Sequence, residues 1–125
     1  MVTLTELERR IRKELINFVK IGDFDRSFVR YKPLANKFGV SYENDYERNL
    51  FHDMLGNISR YEHSKGRPLL SVVVVTGDYI PGGGFFTLAK DELKKQRPDE
   101  NNDNFAQRER QELFDYWKNH EDPDR

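Results

Sequence analysis

The feature that most constrains the fold is an apolar run at residues 69–75, which contains four consecutive valines. β-branched side chains are restricted at χ1 and pack well on a pleated surface, so the run predicts a buried β-strand. Pro81 and three consecutive glycines at 82–84 follow, and this composition is typical of a turn. Phe85 and Phe86 then bring the chain back to apolar packing. The whole stretch predicts a β-hairpin.

The chain before this hairpin begins with a predicted amphipathic helix. Thr3 and Glu6 have the spacing of a capping box and Gly22 is a natural stop, so we place the helix from about Leu4 to Lys20. Apolar residues recur there every three or four positions, as they do on one face of a helix. They are Leu4, Leu7, Ile11, Leu15 and Phe18.

A helix-turn-helix is predicted next. Pro33 suits a first helical turn and Gly39 suits the position after a helix end, which leaves room for about two turns. A longer helix then begins near Asn44 or Asp45 and ends near Ser64. Its expected apolar stripe is Tyr46, Leu50, Met54, Ile58 and Tyr61. A short helix, a tight turn, a longer helix and a hairpin predict an α+β, winged-helix-like fold with one or two further helices after the hairpin.

The C-terminal helices complete one predicted domain. Thr87 is a candidate cap for a short helix, and Asn104 begins a final one. The expected buried residues of the final helix are Phe105, Leu113, Phe114 and Trp117. Residues 120–125 have no apolar side chain to anchor them, so we expect them to fray. The 125 residues match the size of a single domain, which we place at 1–119, followed by a tail at 120–125.

Composition excludes several classes of protein. The chain has no cysteine, which rules out disulfides, thiolate zinc sites and cysteine nucleophiles. No apolar run approaches the roughly 20 residues of a membrane helix, and the N-terminus lacks the apolar region of a signal peptide. We therefore expect a soluble, cytoplasmic protein with no membrane partner. The formal net charge of −1 argues against a protein that mainly coats nucleic acid, because phosphate neutralisation needs an excess of Lys and Arg.

Residue spacing produces no catalytic or metal-binding constellation. His52 and His63 are eleven residues apart, which separates them by roughly 16 Å along a helix and prevents them from sharing an ion. Residues 99–103 open like a calcium loop, but Asn104 and Arg110 replace the glycine and the glutamate that such a loop needs. The glycines at 82–84 lack the lysine and the spacing of a phosphate-binding loop. We therefore expect a non-enzymatic protein with no cofactor and no metal.

Four segments of residues 31–84 follow the order of a known domain: Tyr31-Lys32-Pro33-Leu34-Ala35, Arg48-Asn49-Leu50, Arg67-Pro68-Leu69-Leu70-Ser71-Val72-Val73 and Gly82-Gly83-Gly84. They resemble the Tyr-Gly-x-Leu-Ala helix, the recognition helix, the Pro-Cys-His-Arg-Val-Val strand and the glycine-rich loop of the O6-alkylguanine transferases and their alkyltransferase-like relatives. The resemblance implies a winged-helix domain that contacts DNA. Leu69 stands where that family has its reactive cysteine, which excludes alkyl transfer. The Gly-Arg-Pro-Leu-Leu-Ser and Gly-Gly-Phe-Phe segments also resemble small uncharacterised bacterial or phage proteins, and that similarity implies no activity.

We expect the longer helix to present a face that reads nucleic acid. Arginine and asparagine on a helix in the major groove read guanine and adenine, and nearby cations hold phosphates. The candidate residues are Lys37, Arg48, Asn49, His52, Arg60, Lys65 and Arg67. Four acids in the same region would repel phosphate and favour an ordinary solvated helix face. They are Glu43, Asp45, Glu47 and Asp53.

Two functions therefore stay open from the sequence. The first is a small non-enzymatic domain that binds DNA or RNA through the helix-turn-helix and the wing. The alternative is a protein-interaction or immunity-type module, which would bind a protein partner through Phe85, Phe86 and the acidic C-terminal helix.

Overall fold

The structure, a computed structural model, describes residues 2–124. Three long helices dominate it: α1 (Glu6–Ile21), α3 (Asp45–Ser64) and α5 (Asn102–Asn119). Shorter elements connect them, in chain order β1 (Val29–Arg30), α2 (Tyr31–Lys37), a 3₁₀ turn (Leu70–Val73), β2 (Val74–Val75), α4 (Gly83–Thr87) and a π-helical turn (Leu88–Glu92). β1 and β2 pair in parallel, with Val29 opposite Val74. The predicted winged-helix-like α+β fold is wrong, because residues 2–124 are mostly helical and contain no β-hairpin.

The apolar run at 69–75 forms the centre of the core and not a hairpin strand. Its middle part, Leu70–Val73, is the 3₁₀ turn, and only Val74–Val75 is a strand. Every residue of the run is buried, and the 3₁₀ turn contacts all three long helices. A strand packed on one side alternates buried and exposed side chains. Because helices surround the run, consecutive side chains are all buried. A 3₁₀ helix has three residues per turn, so these side chains point in different directions.

Side chains of the long helices explain why the run needs no antiparallel partner. A buried N–H group must find an acceptor. The Leu69 N–H donates to Glu109 Oε2 of α5 at 2.8 Å, and the Ser71 N–H donates to Ser59 Oγ of α3 at 3.1 Å. These two acceptors satisfy backbone donors that a hairpin ladder would otherwise have to satisfy.

The glycine-rich stretch begins a helix instead of reversing the chain. Gly82 is the N-cap of α4, and its backbone N–H donates to the hydroxyl of Tyr31 at 2.9 Å. Phe85 and Phe86, which are predicted in the return strand, are buried side chains of α4. Thr87 is the last residue of α4 and directly precedes the π-helical turn (Leu88–Glu92), but its side chain makes no capping hydrogen bond to those residues.

α1 begins two residues after its predicted start, at Glu6 instead of Leu4. Its capping box is formed by Thr5 and Glu8. Glu8 Oε1 accepts hydrogen bonds from the Thr5 N–H at 2.8 Å and from Asn57 Nδ2 of α3 at 3.1 Å. Thr5 and Glu8 have the same local spacing as Thr3 and Glu6, and the second bond, which comes from another helix, favours the later of the two capping boxes. The predicted apolar stripe is confirmed, since its members all lie in or against the core: Leu4, Leu7, Ile11, Leu15 and Phe18.

The two helices of the predicted helix-turn-helix are present. Gly39 follows α2 with φ 75°, a left-handed conformation that glycine adopts without a steric penalty. Asn44 caps α3, and its side chain accepts a hydrogen bond from the Glu47 N–H at 3.0 Å. Both helices therefore lie where their local signals place them.

The apolar stripe predicted for α3 is only partly right. Met54 and Ile58 are buried, but Tyr46 is 76% exposed and Leu50 is 45% exposed. α3 instead buries Phe51 and its neighbours against α1 and the 3₁₀ turn. The packed face is thus rotated away from the first two predicted positions, which leaves an apolar pair on the surface.

α5 buries the residues that the sequence predicts. Phe105, Leu113, Phe114 and Trp117 are each at most 1% exposed. The helix begins at Asn102, two residues before its predicted start at Asn104. The cause is the side chain of Asn101, which accepts a hydrogen bond from the Asn104 N–H at 2.8 Å and so caps the helix earlier.

The chain after α5 is held by charged groups. Asp122 accepts two hydrogen bonds from Arg12 of α1, each at 3.0 Å. Asp124 accepts one from the hydroxyl of Tyr61 at 2.6 Å and one from Arg67 at 3.2 Å. The tail is predicted to fray for want of an apolar anchor; its described part, 120–124, has an ionic anchor instead.

Both of these arginines also bind Glu62, which is fully buried on α3. Its carboxylate lies 2.7 Å from Arg12 Nε and 3.0 Å from Arg67 Nε. The guanidinium carbons of both arginines lie 5.8 Å from the Trp117 ring centroid. We call the five charged residues Arg12, Glu62, Arg67, Asp122 and Asp124 the ion network. It joins α1, α3 and the C-terminal segment.

Candidate interaction surface on helix α3

The seven residues predicted to bind nucleic acid lie at three places in the fold. Arg48, Asn49, His52 and Arg60 are on α3, Lys37 is the last residue of α2, and Lys65 and Arg67 follow α3. The structure brings His52 and Arg60 together at one cleft.

The two arginines of α3 are already engaged with acceptors of the protein. Arg48 Nη2 lies 2.6 Å from Asp45 Oδ1, and Arg48 Nη1 donates to the Tyr42 carbonyl at 3.2 Å. Arg60 donates to both carboxylate oxygens of Glu92, at 2.6 and 3.0 Å. The hydrogen bond from Arg60 lowers the pKa of Glu92 below its ordinary value. A phosphate contact at either arginine would have to replace an existing ion pair.

The other predicted contacts do not form a continuous cationic surface with these arginines. Lys37 pairs with Glu14 of α1. Arg67 is only 6% exposed and belongs to the ion network. Lys65 is exposed, with its Nζ 5.6 Å from the centroid of the Tyr61 ring. Asn49 is exposed on α3.

His52 is half-buried between two tyrosines. Its ring centroid lies 4.7 Å from that of Tyr31 and 5.6 Å from that of Tyr42, and its Nε2 is 2.8 Å from the Tyr42 hydroxyl oxygen. Burial, helped by the nearby charge of Arg48, lowers the pKa of His52 below its ordinary value. The imidazole is therefore neutral at neutral pH and adds no positive charge to this surface.

A cleft of about 140 Å³ opens beside His52 and Arg60. Gly56 lies in its wall, and a Cβ at this position would be 3.5 Å from Arg60 Nη1. The Oγ of Ser71, which also lines the cleft, is 2.6 Å from Ser59 Oγ. Burial raises the pKa of the Tyr31 hydroxyl, which keeps it protonated. The cleft thus presents neutral hydrogen-bonding groups, one guanidinium that is already paired and the carboxylate of Asp53.

An exposed apolar pair lies next to this cleft on α3. We define the α3 face as Tyr46, Asn49, Leu50 and Asp53, four exposed residues at helical spacing. Asp53 also lines the cleft, so the two features are continuous. Among residues 2–124, no cation forms an ion pair with the Asp53 carboxylate. The α3 face therefore combines accessible apolar area with one unpaired negative charge.

No known protein family, curated protein or solved structure matches the chain. The resemblance of residues 31–84 to the alkyltransferase-like proteins, and that of the shorter segments to bacterial or phage proteins, stay predictions. In the described part of the chain, no three His, Cys, Asp or Glu side chains are grouped so that they could hold a metal ion. None of the helices in residues 2–124 combines the length and the apolar character that a membrane crossing requires.

Sequence reasoning missed three contributors to this surface. Tyr31 and Ser71 are distant from α3 in the sequence, and only the fold brings them to the cleft. The third is Tyr46, which the sequence predicts to be buried only because its spacing fits the apolar stripe of α3. The polar residues at 47–49 beside it are the local signal that it faces water.

Proposed function

We propose that the protein is a non-enzymatic protein-binding module that uses the α3 face. The observation that supports this proposal is the exposure of Tyr46 and Leu50, 76% and 45%, one helical turn apart on the same side of α3. Tyrosine is one of the residue types that contribute most to binding energy at protein interfaces. A tyrosine on a regular helix also has a fixed backbone, which reduces the entropy lost on binding.

The charges around the pair define the partner. Asp53 is unpaired and lies three residues beyond Leu50, on the same side of the helix. A partner surface that places apolar side chains on Tyr46 and Leu50 and a Lys or Arg opposite Asp53 matches both properties of the α3 face.

The engagement of the α3 arginines supports a protein partner over nucleic acid at this face. Phosphate binding releases counterions and needs cations that are free to neutralise it. Arg48 and Arg60 each have a carboxylate partner within 2.6 Å. An apolar contact centred on Tyr46 leaves both ion pairs intact.

Site-specific photocrosslinking tests the proposal. A photoreactive phenylalanine analogue at position 46 or 50, in the cells from which the protein comes, should capture the same partner. The matched control position is Ile21, which is 87% exposed at the end of α1 and lies outside the α3 face. With the captured partner purified, Tyr46→Ala and Leu50→Ala should each weaken binding about tenfold or more, and Ile21→Ala should leave it unchanged.

Salt dependence distinguishes the two classes of partner. Binding through an apolar interface should change little between about 50 and 200 mM salt, whereas phosphate binding weakens steeply over this range. Equal crosslinking from positions 46 and 21, or unchanged partner affinity in Tyr46→Ala, would contradict the proposal.

A further inference from the structure

A second surface, independent of the α3 face, lies between α1 and the β1–α2 segment. It is an open groove of about 490 Å³. Its aromatic residues are Phe18, Phe28 and Tyr79, and its basic residues are Arg26, Arg30 and Lys37. We call it the aromatic groove. The only carboxylate among its lining residues is Glu14, so its lining carries a positive balance although the whole chain has a net charge of −1.

Tyr79 projects into solvent from a constrained backbone. Tyr79 is 57% exposed, and its φ of 63° lies in the left-handed region, which is uncommon for a bulky residue. A tight turn holds it there: the Tyr79 N–H donates to the Thr76 carbonyl at 3.1 Å, and the Thr76 N–H donates to the Ile80 carbonyl at 2.9 Å. Strained backbone of this kind occurs often at ligand-binding positions.

The ring of Tyr79 is also fixed by packing against Phe28. It packs edge-to-face on Phe28, with ring centroids 5.3 Å apart. Phe28 in turn lies under the guanidinium of Arg110, whose central carbon is 4.1 Å from the Phe28 centroid. Arg110 is itself fixed by donating to the carbonyls of Phe24 and Ser27, each at 2.8 Å. The aromatic side of the groove is thus preorganised.

Arg30 supplies a guanidinium that is held against the Tyr79 ring and has no carboxylate partner in the part of the chain that the structure describes. Its guanidinium carbon lies 4.9 Å from the Tyr79 ring centroid, a distance typical of a cation–π contact. The side chain is exposed, and no carboxylate of residues 2–124 pairs with it. The other two basic residues differ, since Arg26 pairs with Asp23 and Lys37 pairs with Glu14. The N–H donors of Arg30 are therefore available to an anion.

We propose that the aromatic groove binds a nucleotide, either free or as a unit of a single-stranded nucleic acid. The base stacks among Tyr79, Phe28 and the plane of Arg30, and a phosphate accepts hydrogen bonds from the Arg30 guanidinium. Arginine and aromatic rings both serve as stacking platforms for bases, and arginine binds phosphate through paired N–H donors. A nucleotide carries a flat ring and an anion in one unit, whereas an acidic peptide would have to supply them from two side chains.

The test measures binding of fluorescein-labelled dT12 by anisotropy and binding of AMP by calorimetry. We expect at least one of the two to bind, with a loss of affinity of about tenfold or more in Arg30→Gln and in Tyr79→Asn. Asparagine is chosen because it tolerates a left-handed backbone conformation, so the variant removes the ring without adding strain. Tighter binding of dT12 than of AMP assigns the site to a single strand, and the reverse assigns it to a free nucleotide.

Matched controls come from elsewhere on the surface. Tyr46→Ala removes an exposed tyrosine of the α3 face, and Arg9→Gln removes an exposed arginine near the start of α1; neither should change nucleotide affinity. In the wild-type protein, the ligand should shift the amide NMR signals of Phe28, Arg30 and Tyr79, a readout that does not depend on any variant folding.

Three results would overturn the proposal. The first is no binding of either dT12 or AMP, and binding of a synthetic acidic, aromatic-containing peptide would then identify the ligand class instead. The second is equal affinity in Arg30→Gln and the wild type. The third is ligand-induced shifts confined to other residues. Tyr46 of the α3 face enters these measurements only as a control, so their outcome is separate from that of the protein-binding proposal.

Discussion

His52 shows how neighbouring side chains change the chemistry of one residue. Burial and the positive charge of Arg48 lower its pKa, whereas the negative charge of Asp53 acts in the opposite direction. The net result is a pKa below the ordinary value. The position of His52 on α3 predicts a side chain that contacts nucleic acid, but the ring packs between Tyr31 and Tyr42. The sequence places His52 on α3, but only the fold shows that its contacts are Tyr31 and Tyr42.

We predict that the His52 imidazole titrates below about pH 6.5, the value for an unperturbed histidine. An NMR titration of its ring proton measures this directly. Arg48→Gln should raise the pKa, because it removes a neighbouring positive charge, and Asp53→Asn should lower it further. The unfolded chain binds this proton more readily, so His52 favours the folded state above about pH 6.5 and this contribution is lost as the pH falls through the folded pKa. A pKa at or above 6.5 would show that His52 is not packed as described.

The existence of the helices follows from local pattern, and their exact ends do not. α3 has the predicted cap and bounds, and α2 ends before Gly39 as predicted. α1 and α5 begin two residues from their expected starts because Thr5 and Asn101 supply their caps. The strand predicted for the apolar run at 69–75 is wrong for residues 70–73, which form the 3₁₀ turn. The apolar composition of the run predicts that it is buried but does not distinguish a strand from a 3₁₀ turn. Either structure is stable in the core once side-chain acceptors satisfy its N–H groups.

Substituting alanine for each of two glycines should change the free energy of unfolding in opposite directions. A Cβ at Gly22, after α1, would lie 2.7 Å from Ser27 Oγ and 2.8 Å from the Phe18 carbonyl oxygen, whereas a Cβ at Gly84 in α4 meets nothing within 4 Å. Gly22→Ala should lower the free energy of unfolding by about 1–3 kcal/mol through overpacking. Gly84→Ala should raise it by about 0.5–1 kcal/mol through the better helix propensity of alanine.

Urea denaturation at pH 7 measures both changes. Each variant is the control for the other, since the substitution is the same and only the surroundings differ. Unchanged stability in Gly22→Ala would contradict the close contacts described there, and destabilisation in Gly84→Ala would contradict the open space at that position.

The ion network connects distant parts of the whole molecule. Arg12 of α1 and Asp122 are 110 residues apart in sequence and share two hydrogen bonds at 3.0 Å. Burial alone would raise the pKa of Asp122, but hydrogen bonds from Arg12 and from the Asp124 N–H outweigh it, and the pKa lies below its ordinary value. The hydrogen bond from Tyr61, followed by that from Arg67, lowers the pKa of Asp124 in the same direction. The network is therefore expected to make stability depend on pH.

Asp122→Asn should lower the free energy of unfolding at pH 7 by about 3 kcal/mol, because it leaves the buried guanidinium of Arg12 without one of its carboxylates. Asp91→Asn, which changes an exposed aspartate, is the matched control and should change it by less than about 0.5 kcal/mol.

The sign of the pH effect follows from the lowered pKa values. The carboxylates stabilise the folded state fully above the unfolded pKa of about 3.9, and this contribution is lost as the pH falls through the lower folded pKa values. Urea denaturation between about pH 6 and pH 3 should therefore show a steeper loss of stability in the wild type than in Asp122→Asn. Parallel curves for the two proteins would mean that Asp122 does not act through its charge.

Local sequence accounts for the long helices, the buried aromatic residues of α5 and the burial of the run at 69–75. These properties depend on residues within one or two helical turns of each other and on the cost of exposing apolar area. Packing between distant segments accounts for the 3₁₀ turn within the run, for the ion pair of Arg60 with Glu92 and for the contact of Arg67 with Asp124. These outcomes depend on which segments pack together, and no local pattern encodes the identity of a partner 30 to 110 residues away.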